Sequence, residues 1–380
     1  MPTLSVADAA ALEALPDTRA VFALLPRAGG EPYLARCAHL RTRLGRLLAP
    51  VPAGARSLSL DGVMDRLRYT LVNSELEADL QLLEYCRAYF PGDYRSRLHL
   101  RLPVMLKLHL GNAYPRLYAT RGIAPPPGLS FGPFPSRAAA ERWAAQALDL
   151  FLLRRCADDL HPDPQFPGCM YSEMKMCLAP CFQGCSDLRY AEEVQRVQGF
   201  LGTRGESSRL ELSAERDQAS RELAFESAAA LHLRLDKLTT IVKHLPGIAR
   251  AVDNWNGAVV LPGRAGAEVV LFALRAGGLH GPLRLSLAPP TTTATHQPLE
   301  HRLCGRWTAM FPPGLPRLSR RRCGEHLALL ARWQRRSLPM GELLFWPPAE
   351  APPWRRLVSA SAKVGRAMGD GAGETPLAPS

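Results

Sequence analysis

The 380-residue sequence lacks both a long hydrophobic run and a recognisable N-terminal leader. Its longest apolar runs, such as "ALDLFLL" at 147–153, are far shorter than the roughly 20 residues that a membrane helix needs. The first residues, "MPTLSVADAAALEALPD", have no basic segment followed by an apolar core, so no signal peptide is predicted. We therefore expect a cytoplasmic protein without a membrane-spanning segment, in which cysteines are kept reduced.

Lysine is scarce and acidic residues are outnumbered. The chain has 47 basic and 35 acidic residues, a net charge of +12, and nearly all the basic residues are arginine. A GC-rich genome would explain the choice of arginine over lysine, but it does not explain the excess over acid. The excess predicts attraction to polyanions, nucleic acid above all, and the alternative is a solvated basic surface.

Local patterns divide the chain into mixed, helical and β-rich segments. Near the N-terminus, a strand "AVFALLP", a turn and a second strand lead to a helix at 40–47, with leucines at helical spacing among arginines. A second helix opens at Ser74 with Glu77 three residues later, which is a capping box. Helices are predicted over 136–156 and 187–244, and the texture after 246 is that of β-strands.

Five of the nine cysteines lie between residues 154 and 186. Cys156, Cys169, Cys177 and Cys181 are separated by 12, 7 and 3 residues, and Cys185 follows. Clustered cysteines in a reducing compartment indicate metal more often than disulfide, and four thiolates suit either zinc or an iron–sulfur cluster. The alternative is a set of buried apolar cysteines.

The same region resembles the UvrC family, the incision subunit of bacterial nucleotide excision repair. "PGCMYSEMKMCLAPC", "PRLYATR" and "FGPFPS" match that family's cysteine region and its "PRLxxTR" and "YFGPYPS" motifs in order. The resemblance implies that Cys156, Cys169, Cys177 and Cys181 hold a four-iron four-sulfur cluster, with zinc as the alternative and Cys185 outside the ligand set.

A second resemblance lies at residues 219–231. "ASRELAFESAAAL" is similar to the UVR motif through which UvrC docks on UvrB, although His232-Leu233 stands where the family has Arg-Asp. The partner-binding residues implied by this likeness are Leu223, Phe225, Glu226 and Ala229. The alternative is an amphipathic helix packed within its own chain.

The N-terminal segment occupies the place of the GIY-YIG nuclease domain of UvrC and its shorter relative Cho. The family's two motifs have become Ala20-Val21-Phe22 and Tyr33-Leu34-Ala35. The resemblance implies Tyr33 and Arg43 as catalytic residues, with Mg or Mn bound by a glutamate if the nuclease is active. Separately from the resemblance, the net charge and the arginine-rich helix at 40–47 predict DNA contacts by Arg36, Arg41 and Arg46.

The metal-binding glutamate is the weakest part of this match. An ungapped alignment places Leu82 at its position. Glu84 recovers the carboxylate only with two extra residues, which turn it about 200° around the helix. Glu77 shares a face with Glu84, and both side chains could be merely solvated.

We expect an α+β multidomain protein without the second, RNase H-like nuclease of UvrC. The expected parts are a GIY-YIG-like α/β domain over 17–100, connecting strands over 101–140, a helical cysteine-cluster region over 141–200, a UVR-like hairpin over 205–240, a small β-rich C-terminal domain over 245–345 and a loose tail over 346–380. Two functions follow from the resemblance: a Cho-like endonuclease that nicks damaged double-stranded DNA with a UvrB-like partner, or an inactive paralogue that binds both.

Overall fold

The computed structural model describes residues 3–27, 29–50, 59–157, 160–264, 268–288, 298–336 and 340–369. Helices and three four-stranded antiparallel sheets make up this part of the chain, which confirms the predicted α+β class. None of its helices is long and apolar enough to span a membrane.

The N-terminal domain is a sheet of order β1-β4-β2-β3 with a helix on each face. Its elements in chain order are β1 (Thr3–Ser5), α1 (Ala9–Glu13), β2 (Ala20–Pro26), β3 (Tyr33–Cys37), α2 (Leu40–Leu47), β4 (Met64–Leu71), α3 (Glu75–Tyr89) and α4 (Tyr94–Arg97). Side chains alternate across the strands. Tyr33 and Phe22 therefore pack with the buried leucines of α2, whereas Leu34 and Val21 pack with α3.

The helix α3 begins as its sequence predicts. The Ser74 side chain accepts a hydrogen bond from the Glu77 backbone N–H at 3.1 Å, and the Glu77 carboxylate accepts one from Asn73 N–H at 2.8 Å. The first bond satisfies a donor that the first helical turn leaves free, and the second ties the residue before the N-cap to the helix instead of the Ser74 N–H that a capping box uses.

The middle domain contains the second sheet, of order β6-β5-β7-β8, and five helices. Its elements are β5 (Val104–His109), β6 (Leu117–Arg121), β7 (Gly128–Phe134), α5 (Arg137–Leu148), α6 (Met170–Glu173), α7 (Asp187–Thr203), α8 (Glu206–Arg221), α9 (Phe225–Lys243) and β8 (Arg250–Ala251). Trp143 is stacked between Phe131 and Phe200, with ring centroids 5.4 and 5.9 Å away. The helix predicted over 136–156 ends at Leu148, before the cysteine segment.

The C-terminal domain is a sheet of order β11-β10-β9-β12 between two layers of helices. Its elements are β9 (Asn256–Pro262), β10 (Glu268–Arg275), β11 (Gly278–Ser286), α10 (Leu299–Met310), α11 (Arg320–Gln334), β12 (Glu342–Phe345) and α12 (Trp354–Gly369). Helix α11 packs on one face together with α3, and α10 and α12 cover the other.

Two expectations for this region need correction. The domain is a helix-covered sheet rather than a mainly β unit. The prediction of a loose tail over 346–380 is wrong for α12, because Leu357, Ala360 and Val364 recur at helical spacing and are buried against the sheet. Residues 370–380 lie outside the described part of the chain.

Candidate functional sites

Tyr33 and Arg43 meet at the junction of β3 and α2. The guanidinium Nη2 of Arg43 lies 3.4 Å from the Tyr33 hydroxyl oxygen, to which it donates a hydrogen bond. The Tyr33 ring packs on Phe22, which is fully buried. The structure therefore brings together two of the three predicted catalytic residues, at the surface, where a phosphate could reach them.

Glu84 does not join this pair. It lies on α3, which covers the opposite face of the sheet from Tyr33 and α2. Its carboxylate accepts a hydrogen bond at 2.6 Å from Arg322 of α11, and Arg87 lies 3.7 Å away. Leu82, the position given by the ungapped match, packs in an apolar cluster beside Leu34.

Glu77 is also paired rather than solvated. The residue is buried, 4% exposed, and its carboxylate forms an ion pair with Arg284 of β11. Burial raises the pKa of Glu77, although the Asn73 N–H and Arg284 oppose that shift. The C-terminal domain thus supplies the cation for each of the two carboxylates that the sequence singled out on α3.

The sequence reasoning missed two carboxylates, Glu75 and Asp79, at i and i+4 on α3. Arg36 donates from Nη1 to Glu75 Oε2 at 3.1 Å and to Asp79 Oδ1 at 2.5 Å. Arg336, two residues after the end of α11, lies 3.4 Å from Glu75 and 3.7 Å from Asp79, and Arg19 pairs with Glu75. The i, i+4 spacing was visible in the sequence, but the arginine partners from distant segments were not.

These contacts test whether α3 suits a divalent metal. A Mg or Mn site needs carboxylate oxygens that are free to coordinate the ion. Glu75 and Asp79 face three guanidinium groups, and Glu77 and Glu84 are each held by another. The carboxylates named here therefore do not fit a catalytic metal in this arrangement.

The predicted DNA contacts fall into two kinds. Arg41 and Arg46 are exposed on the outer side of α2, whose leucines Leu40, Leu44 and Leu47 are buried. Arg36 instead forms ion pairs with Glu75 and Asp79 of α3. Arg41 and Arg46 form no ion pair with the described residues, although Arg41 donates a hydrogen bond to the Glu13 carbonyl oxygen.

The four predicted cysteine ligands lie in one loop-rich segment between α5 and α7. Cys169 precedes α6, and its backbone N–H donates to Ser172 Oγ at 2.9 Å. Cys177 Sγ accepts from Ala179 N–H at 3.2 Å, and Cys156 Sγ lies 3.6 Å from Arg154 Nη1. Cys181 sits in a short 3₁₀ turn, Pro180–Phe182, that is flanked on both sides by left-handed residues.

The thiols are close enough to interact electrostatically. Burial raises the pKa of Cys177 to about 11, and repulsion from Cys156, Cys181 and Cys169 adds to that shift. Cys185 interacts with Cys181 and packs against the middle-domain core. In the described residues, which omit 158–159 of this loop, no three Cys, His, Asp or Glu side chains are grouped as a metal site. The donor set itself, four thiols whose thiolate charges repel one another, suits a soft cation.

The segment likened to a UVR motif forms the tip of a helical hairpin. Helices α8 and α9 pack together, and residues 222–224 make the turn between them. Leu223 and Phe225 at this tip are 70% and 69% exposed, and Glu226 and Ala229 are exposed beside them. The four predicted partner-binding residues are therefore exposed together at the tip, whereas Leu235, Leu238 and Ile241 further along α9 are buried within the chain's own core.

Comparisons with known proteins find similar chains. The model of the family described as UvrC/Cho excinuclease, middle domain, matches residues 104–200. A UvrABC system protein C from Stenotrophomonas maltophilia (strain K279a) is 30% identical over 245 residues, which are 64% of this chain and 39% of that protein. Those from Rickettsia bellii and Rhodospirillum rubrum are each 25% identical over 302 and 319 residues, or 79% and 80% of this chain and 47% of each relative. The chain thus spans less than half the length of these relatives, and no solved structure matches it significantly.

Proposed function

Because the chain belongs to the UvrC/Cho family, we propose that it is a nucleotide excision repair protein that binds damaged double-stranded DNA and a UvrB-like protein. In this proposal it incises DNA very slowly or not at all. The exposed apolar tip of the α8–α9 hairpin is the observation that carries the proposal.

The partner-binding part rests on exposure. A helical hairpin that ends in Leu223 and Phe225 leaves large apolar side chains in water, where burial by a partner is favourable. An amphipathic hairpin of this kind fits a matching helical hairpin, with Glu226 at the edge of the contact. A UvrB-like protein is the partner that the family resemblance supplies.

The DNA-binding part rests on charge. Arg41 and Arg46 stand on α2 next to the Tyr33–Arg43 pair, so phosphates of a DNA strand could bridge them. Residues 245–369 carry 17 basic and 6 acidic residues, nearly all the excess charge of the chain. This distribution supports binding through the phosphate backbone rather than through base sequence.

Weak catalysis follows from the site as it stands. Arg43 can neutralise a phosphate oxygen, and it can hold the Tyr33 hydroxyl for proton transfer at the attacked phosphate. The four α3 carboxylates described above are paired with arginines. None of them is therefore free to hold a metal ion that would stabilise the leaving oxygen. Loss of one such stabilising group typically costs on the order of a hundred- to a thousandfold in rate. The Tyr33–Arg43 contact is the observation that favours the second candidate, a Cho-like nicking endonuclease.

The proposal includes a cofactor in the cysteine segment. Cys156, Cys169, Cys177 and Cys181 would hold a four-iron four-sulfur cluster, or zinc as the alternative, which would cross-link the loop-rich segment. Cys185 remains outside the ligand set, packed against the core.

The experiment replaces the exposed aromatic ring at the hairpin tip. Phe225→Ala should weaken capture of UvrB by roughly 2–4 kcal/mol, about thirtyfold or more, without changing the circular dichroism spectrum. Leu188→Ala on α7 is the matched control, because Leu188 is equally exposed, at 71%, but lies outside the hairpin. Unchanged capture by Phe225→Ala would refute the docking surface.

A further inference from the structure

Helix α12 carries all its charged residues on one side. Arg355, Arg356, Lys363 and Arg366 are the only charged residues of the helix, and all four are exposed. At about 100° per residue they fall, together with the exposed Ser359, within an arc of roughly 100° around the helix axis. The opposite side of the helix is buried against the C-terminal sheet. The outer face of α12 is therefore a row of cations that faces solvent.

Three of these cations have no acidic partner. Lys363 forms an ion pair with Glu342 of β12, with Nζ 2.6 Å from Oε1. Arg355, Arg356 and Arg366 form no ion pair with the residues that the structure describes. Arg366 makes one hydrogen bond, from Nε to a backbone carbonyl oxygen one turn back, at 3.4 Å. The three guanidinium groups are therefore available to an external anion.

Helix stability does not explain where two of these arginines lie. Arg355 and Arg356 are in the first turn of α12, which contains no acidic residue. The aligned backbone dipoles give this end of a helix a partial positive charge, so arginine is unfavourable there. A bound anion would offset both the guanidinium charges and that of the helix end.

The chemistry of the face favours the sugar–phosphate backbone of duplex DNA. Guanidinium groups bind phosphate oxygens through paired N–H donors. From Arg355 to Arg366 the face extends roughly 16 Å along the helix axis, which is comparable with about five base pairs of a duplex. The exposed arc contains no aromatic ring on which the bases of a single strand could stack. A stiff duplex with regularly spaced phosphates therefore fits this face better than a single strand.

An anionic membrane is the other polyanion that a basic amphipathic helix could bind. Such binding requires the apolar side of the helix to enter the lipid. In α12 that side consists of Leu357, Ala360 and Val364, which are 0%, 3% and 6% exposed and pack in the core of the C-terminal domain. The apolar side is therefore not available to lipid.

We propose that the outer face of α12 binds the sugar–phosphate backbone of duplex DNA, whatever the base sequence and whether or not the DNA is damaged. The inference rests on the proposed DNA-binding function and names one contact surface that serves it.

The test measures the affinity of the full chain for two fluorescent duplexes by anisotropy over a range of salt concentrations. The duplexes have the same sequence, and one carries a single bulky adduct. Arg355→Ala/Arg356→Ala/Arg366→Ala should reduce the slope of log K against log salt by about 3 on both duplexes, roughly one per phosphate contact. Because alanine favours the helix, circular dichroism and melting temperature should not change.

A matched control removes the same net charge elsewhere. Arg137→Ala/Arg142→Ala/Arg189→Ala replaces three exposed arginines of α5 and α7 and should leave the slope unchanged. Equal reductions by the two triple variants would show that only net charge matters and would refute the surface. Vesicles that contain phosphatidylserine provide the membrane arm. If the α12 variant loses vesicle binding while its duplex slope is unchanged, the face belongs to a membrane and the proposal is wrong.

The two duplexes separate this inference from the proposed function. An unchanged slope for the α12 variant, in a protein that prefers the damaged duplex, would overturn the inference alone. A slope reduced by about 3, in a protein that binds both duplexes equally, would support the inference and count against recognition of damage. If the triple variant does not fold, Arg355→Gln/Arg366→Gln decides, with an expected reduction of about 2.

Discussion

Removing Arg284 should destabilise the protein because it leaves a buried carboxylate unpaired. Glu77 is 4% exposed and has two partners, Arg284 and the Asn73 N–H. Breaking a buried ion pair by deleting one member typically costs 3–5 kcal/mol. Arg284 is itself 35% exposed and the Asn73 bond survives, so we expect the lower end. Arg284→Met should lower the free energy of unfolding in urea by about 3 kcal/mol at pH 7.

The pH dependence gives the sign of the effect. Burial already raises the folded-state pKa of Glu77, and loss of Arg284 should raise it further. The folded variant then favours the protonated carboxyl, so its unfolding free energy should fall as pH rises from below 4.5 through the folded pKa. The double variant Arg284→Met/Glu77→Gln keeps an acceptor for Asn73 and should recover most of the loss. A single variant within about 1 kcal/mol of the parent at pH 7, a magnitude typical of exposed ion pairs, would refute the reasoning.

Two further predictions concern the cofactor and the basic helix. Protein purified without oxygen should be brown, with close to four irons per chain. Cys177→Ser should remove the colour and make residues 141–200 sensitive to protease. One zinc and no iron per chain would contradict the iron–sulfur assignment. Affinity for damaged duplex should fall steeply as salt rises, and Arg41→Ala/Arg46→Ala should reduce the slope of log K against log salt by about 2, roughly one per phosphate contact; an unchanged slope would exclude α2 from the interface.

Local elements of the fold could be predicted where their own residues specify them. The helix start at Ser74, the leucine spacing of α2 and the helices α7 to α9 appear as expected because each signal lies within a few residues. The strand β4 was not anticipated, since its sequence "MDRLRYTL" carries two arginines, yet it lies between β1 and β2 in the sheet. Its place is determined by backbone pairing with β1 on one side and β2 on the other, and such pairing leaves no local pattern in the sequence.

In the candidate site, too, contacts between residues close in sequence could be predicted, and contacts between distant residues could not. Tyr33 and Arg43 are ten residues apart, and the resemblance to the GIY-YIG domain implies that they belong to one site. The partners of Glu77 and Glu84 are Arg284 and Arg322, 207 and 238 residues away, so only the packing of α3 against the C-terminal domain brings them together. An ion pair of that separation leaves no periodic trace in the sequence, which is why solvation of these carboxylates was a reasonable expectation.

Incision of ultraviolet-irradiated supercoiled plasmid, with UvrA, UvrB and magnesium or manganese, tests the central claim most directly. The account predicts that the protein joins the UvrB–DNA complex and that nicking is very slow or undetectable, because arginines hold the α3 carboxylates. Any residual nicking should be abolished by Tyr33→Phe and by Arg43→Ala, and Glu84→Gln should leave it unchanged. Rapid nicking that Tyr33→Phe abolishes would show that the N-terminal site is complete and active. Rapid nicking that survives Tyr33→Phe would place the active site elsewhere in the chain, and either result would contradict the account.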